Sequence, residues 1–171
     1  MNKALLVTDM LNDFIREGAP LEVPAARKII GKVNERIRAT RKAGGRIIFV
    51  ADHHARNDPE FDRWPAHAVA GTEGCEVIAE LDRRPEDILL PKTRYSAFFE
   101  SSLDEILQRE DVDEVEVAGV CTSICVMFTV ADLRNRYIPT TVHRDAVADL
   151  DEASHRFALK HMDRVLGAKV I

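Results

Sequence analysis

The sequence predicts an α/β fold built on a doubly wound, six-stranded parallel sheet in the order 3-2-1-4-5-6, with helices on both faces. Three observations predict it. Short apolar runs typical of buried strands alternate along the chain with longer segments of helical periodicity. Such an alternation is typical of a parallel sheet covered on both faces. Right-handed crossovers between the strands then wind the sheet in two directions from its centre.

The first half of the chain contains two predicted strands with one long helix between them. The strands cover Ala4 to Asp9 (ALLVTD) and Arg46 to Asp52 (RIIFVAD), and each ends in an aspartate. A helix is predicted over Pro24 to Ala43, because proline suits the first helical position and apolar residues then recur at helical spacing. Gly44 and Gly45 end this helix.

The second half continues the alternation after a polar, proline-containing loop over residues 53–72. Thr122 and Ser123 are good N-cap residues, and so is Asp151. The predicted elements are a short helix over Glu73 to Leu81, a strand over Asp87 to Lys92, a helix over Ala97 to Gln108, a strand over Val115 to Val120, a helix over Thr122 to Arg136, a strand over Thr140 to Ala146, a helix over Asp151 to Val165 and a strand over Ala168 to Ile171.

Composition narrows the classes of function. The 171 residues suffice for a single domain with a real core, and 46% hydrophobic and 31% charged residues argue against disorder. The net charge is −5 without a basic patch, so we expect no nucleic-acid partner. No apolar run approaches the ~18 residues of a membrane span. The start of the chain has no signal pattern and three is an odd number of cysteines, so we expect a cytoplasmic protein.

The most informative stretch runs from Val112 to Arg136. A predicted strand turns tightly at Gly119-Val120-Cys121 into a helix, and Cys125 falls in the first turn of that helix. Free backbone N–H groups and the helix dipole favour an anion there, so the thiol should ionise more readily than a free cysteine. Such a turn can place a nucleophile beside oxyanion donors. A buried structural cysteine, or a metal or disulfide pair with Cys121, remains open.

Topology places a second residue near Cys125. Ligands of open parallel sheets bind at the carboxyl ends of the strands, beside the point where the strand order reverses. Asp9 ends the first strand and Cys125 follows the fourth, and these two strands flank that point. A buried Asp9 would have a raised pKa and could accept the proton of the thiol. The chain has no GxGxxG loop, so we expect no dinucleotide cofactor.

A second cluster of polar residues follows the second strand. It comprises Asp52-His53-His54, Glu60 and the segment Trp64-Pro65-Ala66-His67. One carboxylate and two imidazoles suit Zn²⁺, Fe²⁺ or Mn²⁺ and leave coordination positions for water or substrate. Asp52 and His54 are two residues apart and would share one side of an extended chain.

The turn and its surroundings resemble the isochorismatase-like cysteine hydrolases, a superfamily that includes the nicotinamidases and has the same strand order in a Rossmann-like sheet. The residues that carry the resemblance are Gly119-Val120-Cys121-Thr122-Ser123-Ile124-Cys125-Val126, Thr129, Ala131, Asp132 and the segment Lys92 with Tyr95-Ser96-Ala97-Phe98. The chain departs from the pattern at Ser123, where many nicotinamidases have aspartate, and at Arg136, where glycine is usual.

The resemblance extends over essentially the whole chain and implies a catalytic triad. Cys125 is the nucleophile, Asp9 the general base and Lys92 the residue that stabilises the charged partners. The backbone N–H groups of Cys121 and Cys125 form the oxyanion hole, and the Val120–Cys121 peptide is cis.

The resemblance also implies a metal site and a ring pocket. The patterns Asp-x-His and Trp-Pro-x-His, followed by Gly71-Thr72 and Gly74, resemble nicotinamidases, in which a metal binds the pyridine nitrogen. Asp52, His54 and His67 are the implied ligands, with Glu60 as the fourth and Asp58 as its competitor. Zn²⁺ is the first choice, ahead of Fe²⁺ and Mn²⁺. The implied substrate-binding residues are Phe14 and Trp64, which would sandwich the ring, and Tyr95.

We therefore expect a cysteine amidohydrolase that converts nicotinamide into nicotinate and ammonia through a thioester on Cys125. Three alternatives stay open at this point. A related amidase could cleave an N-carbamoyl or ureido substrate with the same triad and no metal. An isochorismatase-type enzyme would hydrolyse an enol ether without needing the cysteine, and a redox module would use Cys121 and Cys125 as a switch. The expected partners are a small-molecule amide and further copies of the chain in a homo-oligomer.

Overall fold

The protein forms a six-stranded sheet in the order β3-β2-β1-β4-β5-β6, and every neighbouring pair of strands is parallel. The structure is a computed structural model that describes residues 2–171. This order confirms the predicted topology. The strands are β1 (Lys3–Thr8), β2 (Arg46–Asp52), β3 (Ile88–Lys92), β4 (Glu114–Val120), β5 (Thr140–Ala148) and β6 (Lys169–Val170).

Helices cover the sheet on both faces because alternate strand residues point to opposite sides. Leu5 of β1 lies in the same hydrophobic core as Val33 and Ile37 of one helix. The next residue, Leu6, lies in a second core with Leu133 of another helix. None of the helices within residues 2–171 combines the length and apolar character needed to cross a membrane. The helices are α1 (Asn12–Ile15), α2 (Ile30–Lys42), α3 (Leu103–Arg109), α4 (Met127–Asn135) and α5 (Glu152–Arg164).

The predicted helix over Glu73 to Leu81 is wrong. Only the 3₁₀ turn Glu73–Cys75 forms, and the chain then extends so that Val77 makes an antiparallel bridge with Leu11. The segment after β1 offers these residues backbone partners: the Ile78 N–H donates to the Met10 carbonyl at 3.0 Å. Tertiary pairing therefore overrides the local helical pattern.

Two other helices begin later than predicted. The segment Pro24–Ile29 is a 3₁₀ helix, and α2 begins only at Ile30. The helix expected from Ala97 begins only at Leu103, and the Ala97 N–H donates to the Thr129 hydroxyl at 3.0 Å.

The stretch from β4 to α4 forms the predicted strand, turn and helix, but its first helical turn is a π-helix over Thr122–Val126. The prediction that Thr122 or Ser123 caps the helix is wrong. The N-cap residue is Cys121, and its side chain makes no capping hydrogen bond. The Val120–Cys121 peptide is cis. Gly119 has a φ of +112°, and a Cβ there would lie 2.0 Å from the Thr8 carbonyl oxygen. Only glycine therefore lets β4 approach β1 this closely.

Candidate active site

A cavity opens at the carboxyl ends of β1 and β4, where the strand order reverses, as the topology predicts. It has a volume of about 310 Å³ and is open to solvent. Its walls are mostly apolar, and its charged side chains are two carboxylates. The lining residues are Phe14, Leu21, Asp52, Glu60, Trp64, His67, Tyr95, Cys121, Ile124, Cys125 and Leu150.

Asp9, Lys92 and Cys125 meet beside this cavity. Asp9 follows β1, Lys92 ends β3, and Cys125 lies in the π-helical turn after β4. The Lys92 Nζ lies 2.9 Å from Asp9 Oδ2, without the angle of a hydrogen bond, and donates to Cys125 Sγ at 3.4 Å. The side chain of Lys92 therefore reaches from β3 across the ends of β2 and β1 to the turn after β4.

Burial sets the protonation state of Asp9. This carboxylate is fully buried and accepts a hydrogen bond from the Asp52 N–H at 2.8 Å. Burial raises the pKa of Asp9, the charge of Asp52 raises it further, and Lys92 opposes both, which leaves this pKa at about 6. Asp9 is thus ionised at neutral pH, yet it takes up a proton more readily than an exposed aspartate.

The thiol of Cys125 is neutral in the resting site. Burial raises the pKa of Cys125 well above its usual value, Lys92 opposes this, and the carboxylates of Asp9 and Asp52 add to the rise. The expectation that the helix N-terminus makes Cys125 a ready thiolate is therefore wrong, because one ammonium does not offset burial and two carboxylates.

Lys92 stays protonated in this buried site. Burial lowers the pKa of Lys92, but the charges of Asp52 and Asp9 outweigh it and hold that pKa well above its usual value. The Lys92 Nζ donates to Asp52 Oδ1 at 2.5 Å. The sequence suggested Asp52 only as a metal ligand, so this ion pair is an addition from the structure.

The side chains of Asp52, His54 and His67 form a buried group whose ligand atoms lie within 4.8 Å of one another. His54 Nε2 lies 3.7 Å from Asp52 Oδ1 and has no hydrogen-bond partner, although it is buried. His67 Nδ1 pairs with the Pro65 carbonyl at 2.7 Å, which turns Nε2 toward Asp52. An orphaned imidazole nitrogen beside a carboxylate and a second imidazole suits a divalent ion such as Zn²⁺.

Asp58 and Glu60 occupy different places around this group. Asp58 accepts a hydrogen bond from the Glu60 N–H at 2.9 Å, pairs with His54 Nδ1 at 3.1 Å and pairs with Arg94 at 3.0 Å. It therefore stands behind His54 and orients its ring, as residues behind metal ligands commonly do. The Glu60 side chain lines the cavity, although its carboxylate lies outside the group within 4.8 Å.

Aromatic side chains form the walls of the cavity. Phe14 meets the His67 ring edge-on with 5.4 Å between centroids, and the Trp64 indole N–H donates to the Tyr95 hydroxyl at 3.1 Å. Leu21, Ile124 and Leu150 also line the cavity, and sequence reasoning missed them. Leu21 and Leu150 lie in connections between elements, where no periodic pattern marks a residue as inward-facing, whereas Ile124 lies inside the motif around Cys125.

Known proteins share this fold over nearly their whole length. A model of the isochorismatase domain matches residues 3–171. The chain is 32% identical to the pyrazinamidase of Pyrococcus horikoshii, solved in complex with zinc, covering 100% of this chain and 99% of that one with a TM-score of 0.94. It is 34% identical to the nicotinamidase/pyrazinamidase PncA of Bacillus subtilis, covering 99% of both chains with a TM-score of 0.92.

A third similar structure is an amidase named for a different substrate. The N-carbamoylsarcosine amidase of Thermoplasma acidophilum is 36% identical, with 99% of this chain and 95% of that one covered and a TM-score of 0.90. Other relatives are named ureidoacrylate amidohydrolases. Members of this family therefore differ in substrate.

The fold and the site define a hydrolase with a parallel sheet and a cysteine at its switch point. The chain belongs to the isochorismatase family.

Proposed function

We propose that this hydrolase is a nicotinamidase, which cleaves the amide C–N bond of nicotinamide to give nicotinate and ammonia. The observation that carries the proposal is that Cys125 lines the same cavity as Asp52 and His67, two members of the buried group that also contains His54. A cysteine nucleophile serves any amidase of this family. A metal-binding group facing it serves a substrate that carries a ligand atom of its own, such as a ring nitrogen.

Asp9 and Cys125 carry the chemistry in this proposal. An Asp9 carboxylate oxygen lies within 4.8 Å of Cys125 Sγ and takes the thiol proton. The sulfur attacks the carboxamide carbon, and the N–H groups of Cys121 and Cys125 hold the resulting oxyanion. Asp9 returns the proton to the departing nitrogen as ammonia leaves. Water, deprotonated by Asp9, then attacks the thioester carbonyl. The C–S bond breaks, Asp9 returns this proton to the Cys125 sulfur, and the nicotinic acid that leaves ionises to nicotinate.

Lys92 supports this proton transfer without giving up its own proton. Its ammonium contacts both Asp9 and Cys125, so it stabilises whichever of the two carries the negative charge. This role suits a neutral resting thiol, because the thiolate is needed only while the substrate reacts.

The metal would be held by Asp52, His54 and His67, with Glu60 as the fourth ligand. A bound divalent ion supplies an open coordination position that fixes a ring nitrogen and so orients the ring. Zn²⁺ is the first candidate, because the donors suit it and a similar pyrazinamidase was solved with zinc. Fe²⁺ and Mn²⁺ are the alternatives.

The charge of the cavity favours nicotinamide over the N-carbamoyl and ureido substrates of the main alternative. N-carbamoylsarcosine and ureidoacrylate each carry a carboxylate, which would need a cationic partner. No lysine or arginine is among the lining residues, and Asp52 and Glu60 are acidic. The aromatic walls suit a neutral heteroaromatic amide better. An N-carbamoyl amidase remains the second candidate because of the 36% identity to a carbamoylsarcosine amidase.

Ammonia release from nicotinamide by the purified protein tests this proposal. Turnover should fall after chelation and return when Zn²⁺, Fe²⁺ or Mn²⁺ is added back. Turnover of N-carbamoylsarcosine in place of nicotinamide would favour the second candidate. A Cys125→Ala variant should release no ammonia from nicotinamide, and wild-type turnover in that variant would contradict the role of Cys125. An isochorismatase-type enzyme would instead hydrolyse an enol ether without releasing ammonia, and Cys125→Ala would leave that activity in place.

Two further predictions accompany the proposal, a cytoplasmic location and a homo-oligomer. The cytoplasm keeps thiols reduced, and Cys75, Cys121 and Cys125 are all free thiols. A homo-oligomer remains a prediction from the family resemblance, and light scattering coupled to size-exclusion chromatography would measure its mass.

A further inference from the structure

We propose that Asp149 is a positioning residue for the reaction at Cys125, because its carboxylate holds the turn that carries this cysteine. The proposal rests on amide hydrolysis at Cys125 but not on the identity of the amide. Asp149 directly follows β5 and only 5% of its surface is exposed. The sequence did not single it out.

The turn after β4 needs an acceptor from elsewhere. Helix N-termini are normally capped by the side chain of the residue just before the first turn. Here that residue is Cys121, which makes no side-chain cap. Its carbonyl accepts hydrogen bonds from Ile124 and Val126 at 3.1 and 3.2 Å. The Ser123 N–H instead donates to Asp149 Oδ2 at 2.6 Å, across 26 residues of sequence.

The irregular pairing of β5 with β4 places Asp149 there. Val117 pairs with Val142, but two residues later Gly119 pairs with Val147, so β5 carries extra residues between these pairs. Such an insertion lets one strand change its alignment on its neighbour. After it, Ala148 pairs with Val120, which brings the next residue beside the turn.

The same carboxylate also fixes a wall of the cavity. Asp149 Oδ1 accepts a hydrogen bond from the Leu150 N–H at 2.9 Å, and Leu150 lines the cavity. One buried side chain therefore ties the turn that carries Cys125 to a residue in the cavity wall. Asp149 touches neither the thiol nor the substrate itself, so it acts on the reaction through the position of the turn.

Three variants and one control test this role. Asp149→Ala removes both acceptor oxygens, and Asp149→Glu moves them by one methylene and keeps the charge. Asp149→Asn keeps one acceptor oxygen for the Ser123 N–H, while its NH₂ group replaces the oxygen that accepts the Leu150 N–H. The control is Asp151→Ala, because Asp151 caps α5 by accepting the Ser154 N–H at 2.9 Å but lies on an exposed helix end. Thermal unfolding establishes that each variant is folded, and Asp149→Glu replaces Asp149→Ala if the latter does not fold.

We expect kcat to fall about 10- to 100-fold in Asp149→Ala and Asp149→Glu, with KM within about threefold of wild type, since a misplaced nucleophile slows the reaction more than binding. Asp149→Asn keeps one of the two acceptors, so its kcat should lie between that of Asp149→Ala and that of wild type, and Asp151→Ala should leave kcat unchanged. The role is rejected if Asp149→Ala or its Glu replacement keeps wild-type kcat, or if Asp151→Ala loses as much kcat as they do.

The substrate used separates this proposal from the nicotinamidase proposal. Nicotinamide, N-carbamoylsarcosine and ureidoacrylate are assayed with the wild-type protein, and the variants are compared on whichever amide it hydrolyses. If the wild-type protein hydrolyses N-carbamoylsarcosine or ureidoacrylate but not nicotinamide, the nicotinamidase proposal alone is overturned. A fall in kcat on that substrate in the Asp149 variants, but not in Asp151→Ala, would still support the positioning role. A wild-type protein that hydrolyses none of the three would remove the amide hydrolysis on which both proposals rest.

Discussion

The ammonium of Lys92 donates to Asp52 Oδ1 at 2.5 Å, and this contact joins the two halves of the site. Lys92 also contacts Asp9 and Cys125, whereas Asp52 also faces His54 and His67. The proposed triad and the proposed metal group therefore share a buried ion pair. Because the two groups are connected, a substitution in one should also affect the other.

Lys92→Met tests this connection. It removes the ammonium that contacts the buried carboxylates of both Asp9 and Asp52, and breaking a buried ion pair by removing one partner costs roughly 3–5 kcal/mol. We expect urea unfolding to show a loss of stability of that order and ammonia release to fall at least about 1,000-fold. The double variant Lys92→Met/Asp9→Asn should regain part of the stability without the activity. Full stability in Lys92→Met alone would contradict a buried ion pair.

Asp58→Ala and Glu60→Gln separate the residue behind His54 from the proposed fourth ligand. Asp58 pairs with His54 Nδ1 at 3.1 Å, so its loss frees the ring to turn. Removal of such a partner typically lowers metal affinity 10- to 100-fold. Competition with a chromophoric chelator should show a loss of that size in Asp58→Ala. An unchanged Zn²⁺ affinity in Glu60→Gln would remove Glu60 from the ligand set and leave the fourth position to water.

The Trp64–Tyr95 hydrogen bond gives a prediction for substrate binding. Tyr95→Phe removes the acceptor of the Trp64 indole N–H and frees this wall of the cavity to move. We expect KM for nicotinamide to rise about threefold to tenfold with kcat nearly unchanged, as for loss of binding that is shared by the ground and transition states. The matched control is Tyr137→Phe, because Tyr137 is 89% exposed and lies on the surface after α4. A fall in kcat with constant KM would instead assign Tyr95 to the chemical step.

The topology could be predicted from the sequence because it follows from periodicity. The strand Arg46–Asp52 is apolar from Ile47 to Ala51, which is the pattern of a strand buried on both faces. Ligands of such a sheet bind at the carboxyl ends of its strands, and this alone predicted that Asp9 and Cys125 lie near each other. These parts depend on local pattern and on chain connectivity, both of which the sequence carries.

The protonation of Cys125 and the role of Asp149 could not be predicted in this way. The pKa of Cys125 depends on burial together with the charges of Lys92, Asp9 and Asp52. These residues are far apart in sequence, and only the folded chain brings them together. The role of Asp149 depends on the shifted alignment of β5 on β4. The helix wrongly expected over Glu73 to Leu81 has the same cause, because the backbone partners of Val77 and Ile78 come from residues far away in sequence.

Gly74 connects this extended segment to the metal group, and Gly74→Ala tests the connection. A Cβ at Gly74 would lie 2.1 Å from Asp13 Oδ2, and that oxygen accepts the Ala68 N–H at 2.8 Å. Ala68 directly follows His67, so displacement of Asp13 releases the backbone beside a proposed ligand. We expect a loss of about 1–3 kcal/mol in unfolding free energy, as for other overpacked sites, together with weaker Zn²⁺ binding.

Gly31→Ala is the matched control for this prediction, since it makes the same chemical change at a helical position with nothing within 4 Å of the added methyl group. It should stabilise α2 by up to about 1 kcal/mol, because alanine favours a helix more than glycine does, and Zn²⁺ affinity should stay at the wild-type value. Equal Zn²⁺ affinity in the two variants would show that the Asp13–Ala68 contact does not position His67. A loss of Zn²⁺ affinity confined to Gly74→Ala would place Asp13 among the residues that hold the metal group in position.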